Sequence, residues 1–328
     1  MLFRSRARRG IGRSAGLRIH LSSGDGGAAR SAGRPTRSAR SVTPSPFIEG
    51  RRLDVDLPLH VTEIPGTDHP DETFVMLHGF GGSSYTWRSW APRLAARGRV
   101  LCVDYKGFGA APKPADDRYA PEDQAELVVG LVDRLGLERV TLIGHSLGGS
   151  ISLLACQALS TRSSSPVERL VMIASPAYRQ RIPPLVSLSK RPRLSRSLVR
   201  GVGPRRLVRL ILRSVVHDPA IVTNERVAAY AQPLMSRDGL DGVLRAGRHI
   251  LPKDLERTSA RIREVTIPTL LMWGDRDRVV PGWVGERLVE ELPDGRRVVL
   301  ERCGHIPPEE RPEESFALLS AFLDETAS

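Results

Sequence analysis

From residue 73 onward the chain repeats one unit: a short, largely apolar run of strand length, a glycine-rich turn, then a stretch with helical spacing. The runs are Phe74–Leu77, Val100–Val103, Val140–Ile143, Leu170–Ile173, Thr269–Trp273 and Arg297–Leu300. Strands that are apolar at successive positions have no polar face to turn to water, so both of their faces must be covered. Alternating with helices, they predict an α/β architecture, a mostly parallel central sheet with helices on both faces. Ahead of them, alternation in Leu53–Leu57 and again in Leu59–Val61 predicts an opening hairpin, with the fold starting near residue 47.

The rhythm stops between Pro176 and about Arg263. Segments such as Leu207-Val208-Arg209-Leu210-Ile211-Leu212-Arg213 have helical spacing there. Residues 176–262 are therefore expected to form a helical cap inserted into a core made of 47–175 and 263–328. Residues 1–46, rich in Arg, Ser, Gly and Ala, read as a disordered tail.

The net charge of +12 raises the question of a nucleic-acid partner, and its distribution answers it. Residues 1–52 hold 12 Arg against Asp25 and Glu49, which leaves the rest of the chain near +2. Within that rest, 176–262 has 18 basic and 6 acidic residues, while 53–175 with 263–328 has 19 and 29. A basic insertion on an acidic core, without any recognisable reading motif, argues against nucleic acid. Cys102, Cys156 and Cys303 are too scattered for a disulfide framework or a zinc site and read as reduced thiols. No apolar run has the length of a membrane span and no secretory signal is evident. A cytoplasmic location is expected, or mitochondrial import if the tail is a transit peptide.

Four segments carry chemistry. Gly144-His145-Ser146-Leu147-Gly148 follows the run Val140–Ile143 and precedes a helix-like stretch, the context in which a serine hydroxyl projects above a sheet on a strained turn. Gly144 and Gly148 are small enough to let strand and helix approach. His78-Gly79-Phe80-Gly81-Gly82 supplies a flexible backbone beside that serine, and the amides of Phe80 and Leu147 are assigned as the two donors for an oxyanion. His78 itself is read as holding its loop rather than acting as a base. In Trp273-Gly274-Asp275-Arg276-Asp277, both aspartates can overhang the sheet. Asp277 is favoured as the acid because it lies one step farther into the loop, while Asp275 can cap or pair with Arg276 or Arg278. His305, in Cys303-Gly304-His305, follows the last strand and is the candidate base. His145 is expected to point away from Ser146, and His60, His69, His217 and His249 read as structural or solvated.

The chain resembles the α/β-hydrolase superfamily in the branch with a helical cap, over about residues 50–325. The resemblance rests on His78-Gly79-Phe80, Asp104-Tyr105-Lys106-Gly107-Phe108-Gly109, Gly144-His145-Ser146-Leu147-Gly148, Asp277 and Gly304-His305. It implies a Ser146–His305–Asp277 triad, an acyl-enzyme intermediate and no requirement for a metal or organic cofactor. The main expectation is hydrolysis of a carboxylic ester or related acyl compound, an apolar small molecule, with the acyl-chain length left open. Carbon–carbon bond hydrolysis and cofactor-free haloperoxidase chemistry use the same motifs and stay open. A catalytically silent scaffold is opposed by the intact triad. For the basic cap, the sequence suggests peripheral contact with anionic lipid, Leu207, Leu210 and Ile211 meeting apolar material and Arg205, Arg206 and Arg213 meeting phosphates.

Overall fold

The computed structural model describes residues 47–67 and 72–327. The tail, 1–46, and His69 lie outside the described residues. Among the described residues there is one sheet of eight strands: β1 (Arg51–Leu53), β2 (His60–Ile64), β3 (Glu72–Leu77), β4 (Arg99–Asp104), β5 (Arg139–His145), β6 (Val167–Ile173), β7 (Thr269–Gly274) and β8 (Gly295–Leu300). Their order is β1-β2-β4-β3-β5-β6-β7-β8, with β2 antiparallel to both of its neighbours and every other pairing parallel.

Successive residues of each central strand enter different cores, which is why these runs show no polar alternation. Val75 and Leu77 of β3 pack with Leu101, Leu142 and Leu271 on one face; Phe74 and Met76 pack with Val100, Ile143 and Met272 on the other. The second face is covered by α1 (Ala91–Leu94) and by the C-terminal helix. The first is covered by α2 (Pro121–Leu135), α3 (Leu147–Leu159) and a helix after β7. Helix α2 shows how locally these elements are encoded. Pro121 opens it, Glu122 and Asp123 face the positive end of its dipole, and Gly136 closes it in the left-handed region at φ 60°.

Between β6 and β7 the chain is helical: α4 (Pro184–Ser187), α5 (Pro192–Val202), α6 (Pro204–Val215), α7 (Asn224–Ala231), α8 (Arg237–Arg248) and α9 (Leu255–Ala260). Gly203, at φ 86°, turns the chain from α5 into α6. Val208, Leu212, Val216 and Val227 form a small core of their own, joined by Ile306 from the loop that follows β8. The chain ends with α10 (Gly282–Glu291), α11 (Pro307–Glu310) and α12 (Pro312–Glu325). Among the described residues no helix is long and apolar enough to cross a membrane, and all three cysteines are buried and free.

One expected element is displaced. The opening hairpin exists, but its arms are Arg51–Leu53 and His60–Ile64, and the alternating stretch Asp54–Leu57 is the connection between them. The Asp54 carboxylate accepts the Asp56 amide at 3.3 Å, and Asp56 sits at φ 49°, so a local side-chain turn outcompetes the strand.

Candidate active site

Ser146 stands between the end of β5 and the start of α3, at φ 51° and ψ −120°. A non-glycine residue in that region costs about 1–3 kcal/mol, which the surroundings must supply. They do so through the Ser146 amide, which donates to the Ile173 carbonyl at 2.8 Å, and through the tight crossing of β5 and α3. A Cβ on Gly148 would lie 2.2 Å from the Leu77 carbonyl oxygen, and one on Gly144 would lie 2.4 Å from that of Gly148. Because the atoms met are backbone, nothing can rotate aside. Gly148→Ala is expected to cost about 3 kcal/mol, the upper part of the usual overpacking range, and to lower the thermal midpoint by several degrees. An unchanged midpoint would refute the close-packing account.

The Ser146 hydroxyl lies 3.0 Å from Nε2 of His305, in the loop after β8. On the other side of the ring, Nδ1 of His305 lies 2.9 Å from Oδ2 of Asp277, in the loop after β7. The second oxygen of Asp277 accepts the amides of Val279 at 2.8 Å and Val280 at 3.1 Å. Burial pushes the Asp277 carboxyl up, but the adjacent imidazole and these two amides outweigh it and hold the group below its ordinary value. Asp275 takes another place: it accepts the Cys303 amide at 3.1 Å and pairs with Arg276 at 3.2 Å. It clamps the histidine loop and does not reach the imidazole.

Three contacts that the motifs do not announce hold His305. The buried ring of His145 lies beside Gly79 and donates from Nε2 to the His305 carbonyl at 2.7 Å; burial first, and the neighbouring His305, push its pKa down to about 3. It is a neutral brace for the loop that carries His305. The His305 amide donates to the Val215 carbonyl at the end of α6 at 2.9 Å. The Glu310 carboxylate accepts the amides of Gly304 at 2.9 Å, Ile306 at 3.0 Å and His217 at 2.6 Å. The inserted helices and the histidine loop are thus tied together.

Opposite the serine, His78 donates from Nδ1 to the Gly79 carbonyl at 2.7 Å and stacks on Tyr105, with ring centroids 4.4 Å apart. Burial pushes its pKa down to about 4. Asp104 joins the two neighbouring loops, accepting the amides of Ser84 at 2.6 Å and Ala110 at 2.8 Å. Burial, partly offset by these amides, pushes its pKa up to about 6. Gly79 approaches so closely that a Cβ there would lie 3.3 Å from the Ser146 Cβ. The amides of Phe80 and Leu147 have no hydrogen-bond partner among the described residues. Of the other histidines, His60 is buried in β2, while His217 and His249 belong to the inserted segment.

A profile of the α/β-hydrolase family matches residues 74–318. The chain belongs to the α/β-hydrolase family. An uncharacterised hydrolase of Bacillus subtilis is 30% identical over 243 residues, 74% of this chain and 86% of the relative. A 2-hydroxy-6-oxononadienedioate/2-hydroxy-6-oxononatrienedioate hydrolase of Cupriavidus pinatubonensis is 28% identical over 270 residues, 80% and 89% of the two chains. Among solved structures, a membrane phospholipase A described as a bacterial virulence factor superposes with a TM-score of 0.63 at 26% identity, covering 84% of this chain and 85% of that one.

In this α/β-hydrolase, Ser146 and His305 open onto a cavity of about 460 Å³ roofed by the inserted helices. Phe80, Val186, Leu198, Leu207, Ile211 and Leu244 are among its walls, and no Arg, Lys, Asp or Glu is. Its polar lining includes Thr86 and Tyr230, whose hydroxyls lie 3.1 Å apart. Tyr230 also donates to Glu309, a buried carboxylate held by Arg88 at 2.9 Å and Arg226 at 2.8 Å. These residues carry no motif; only burial of the carboxylate between two guanidiniums marks them.

Proposed function

We propose that this α/β-hydrolase cleaves carboxylic esters with a long apolar acyl chain through an acyl-enzyme. His305 Nε2 takes the Ser146 proton as the serine oxygen attacks the carbonyl carbon, and Asp277 holds the opposite nitrogen protonated. The negative charge that develops on the carbonyl oxygen meets the amides of Phe80 and Leu147. His305 returns the proton to the departing alcohol, and water then repeats the sequence on the acyl-serine to release the acid.

The observation that carries the ester reading is the uncharged wall of the cavity. Burying a carboxylate there without a cation would cost several kcal/mol, whereas each buried methylene contributes about 0.8 kcal/mol. Carbon–carbon bond hydrolysis on the same three residues is the second reading, supported by the name of the Cupriavidus relative, a dienedioate hydrolase. A dicarboxylate fits this pocket poorly; a neutral ketone would fit it.

With 4-nitrophenyl esters from acetate to dodecanoate, kcat/KM is expected to rise roughly fourfold per added methylene until the cavity is filled. A flat series, with turnover of 2-hydroxy-6-oxo-dienedioates, would replace the ester reading by the second one.

A further inference from the structure

Helices α5 and α6 each have two unlike faces. Leu198 and Val199 of α5 and Leu207, Val208, Ile211 and Leu212 of α6 line the acyl cavity. The surfaces turned away from or flanking the cavity bear Arg193 and Arg200 on α5 and Arg205, Arg206 and Arg213 on α6, all exposed. None of these five guanidiniums has an acidic partner among the described residues, whereas nearby Arg196 pairs with Asp241 at 2.8 Å and Arg209 donates to Asn224 at 2.7 Å. From residue 190 to 213 there are nine basic residues and no acidic one. Set among the arginines are Leu194 and Leu210, exposed to 51% and 61%.

We propose that this outer face docks on an anionic lipid surface, with the arginines on headgroup phosphates and Leu194 and Leu210 in the acyl boundary. Cationic charge alone would suit any polyanion, but a nucleic-acid backbone offers exposed leucines nothing. A lipid surface satisfies both kinds of side chain. The division of the leucines also refines the sequence reading: Leu207 and Ile211 face the cavity, and only Leu210 of that group faces outward. Docking does not depend on the chemistry at Ser146. Its use, presenting lipid acyl chains to a cavity walled by the same two helices, rests on the ester reading.

The test is co-sedimentation of the full chain with vesicles of phosphatidylcholine alone and of phosphatidylcholine mixed with phosphatidylserine. Partitioning is expected onto the mixed vesicles, falling steeply with salt. At about fivefold per arginine near an anionic surface, Arg205→Glu/Arg206→Glu/Arg213→Glu should lower it by roughly a hundredfold or more. Leu210→Ser, which leaves the charge intact, should lower it several-fold, and Ser146→Ala should bind as the wild type does. Wild-type binding by the triple variant would overturn the proposal and place the contact elsewhere on the chain. So would indifference to Leu210→Ser together with displacement by duplex DNA, which would mark a general polyanion site. Loss of binding in Ser146→Ala would overturn it as well, by tying retention on the vesicles to acylation of Ser146 and not to the outer face. Vesicle binding without ester turnover would leave the docking intact and remove only the ester reading.

Discussion

Ser146→Ala is expected to lower kcat on a 4-nitrophenyl ester by about 10⁴- to 10⁶-fold while leaving the thermal midpoint within a few degrees of wild type. The hydroxyl is the only atom removed. The hydrogen bond that holds the turn is made by the Ser146 amide, and alanine keeps it. The left-handed backbone at φ 51° is no easier for alanine than for serine, so the strain is unchanged. What disappears is the hydroxyl 3.0 Å from the His305 imidazole, the proposed nucleophile, and with it the proposed acyl-enzyme. The residual rate would come from binding and from the two amides alone. Stopped-flow release of 4-nitrophenol gives a second check: the wild type should show a burst equal to its active sites and the variant none. A variant that kept a tenth of the wild-type kcat would remove Ser146 from the mechanism.

Asp277→Asn is expected to cost about 10⁴-fold in kcat, and Asp275→Asn about tenfold or less. The difference follows from where each oxygen points. Oδ1 of Asp277 accepts two amides, from Val279 and Val280, and Oδ2 faces Nδ1 of His305 at 2.9 Å. An asparagine would keep its carbonyl oxygen on the two amides, and its NH₂ would then face the imidazole. A donor there forces the ring proton onto Nε2, the nitrogen that must accept from Ser146, and the imidazolium loses its counter-charge. Asp275 acts one step removed. Its oxygen accepts the Cys303 amide, so its loss loosens the histidine loop without changing the tautomer. Measuring kcat and KM for both variants separates the cases. A larger loss from Asp275→Asn would reverse the roles.

Both predictions concern residues already visible in the sequence, and the reason is that local rules govern them. The apolar runs from Phe74 to Trp273 had to be strands covered on both faces, and they are, each splitting its side chains between two cores, whereas the edge strand β8 buries only Leu300 fully and leaves Val299 exposed. The glycines around Ser146 were required by a strand and a helix crossing at backbone contact, and the loops bearing Asp277 and His305 had to emerge at the same sheet edge because parallel strands share a direction. The hairpin shows where such rules fail. Alternation in Leu53–Leu57 imitates a strand, and the Asp54 side chain diverts it into a turn.

What only the tertiary structure decided are the contacts between segments far apart in the chain. Asp275 and Asp277 have the same chemistry, and only the path of the loop sends one to His305 and the other to Cys303. Glu310 reaching the His217 amide, His145 bracing the His305 carbonyl, and Tyr230 resting on Glu309 follow no spacing rule, because each joins residues brought together by packing. The same holds for the inserted helices. Their helical period was legible, but Leu207, Ile211 and Leu210 are interchangeable in sequence, and only the cavity beneath α6 fixes which of them line it and which faces outward. Backbone geometry and side-chain periodicity are encoded over a few residues; the assignment of a face to a neighbour is set by burial in the whole fold.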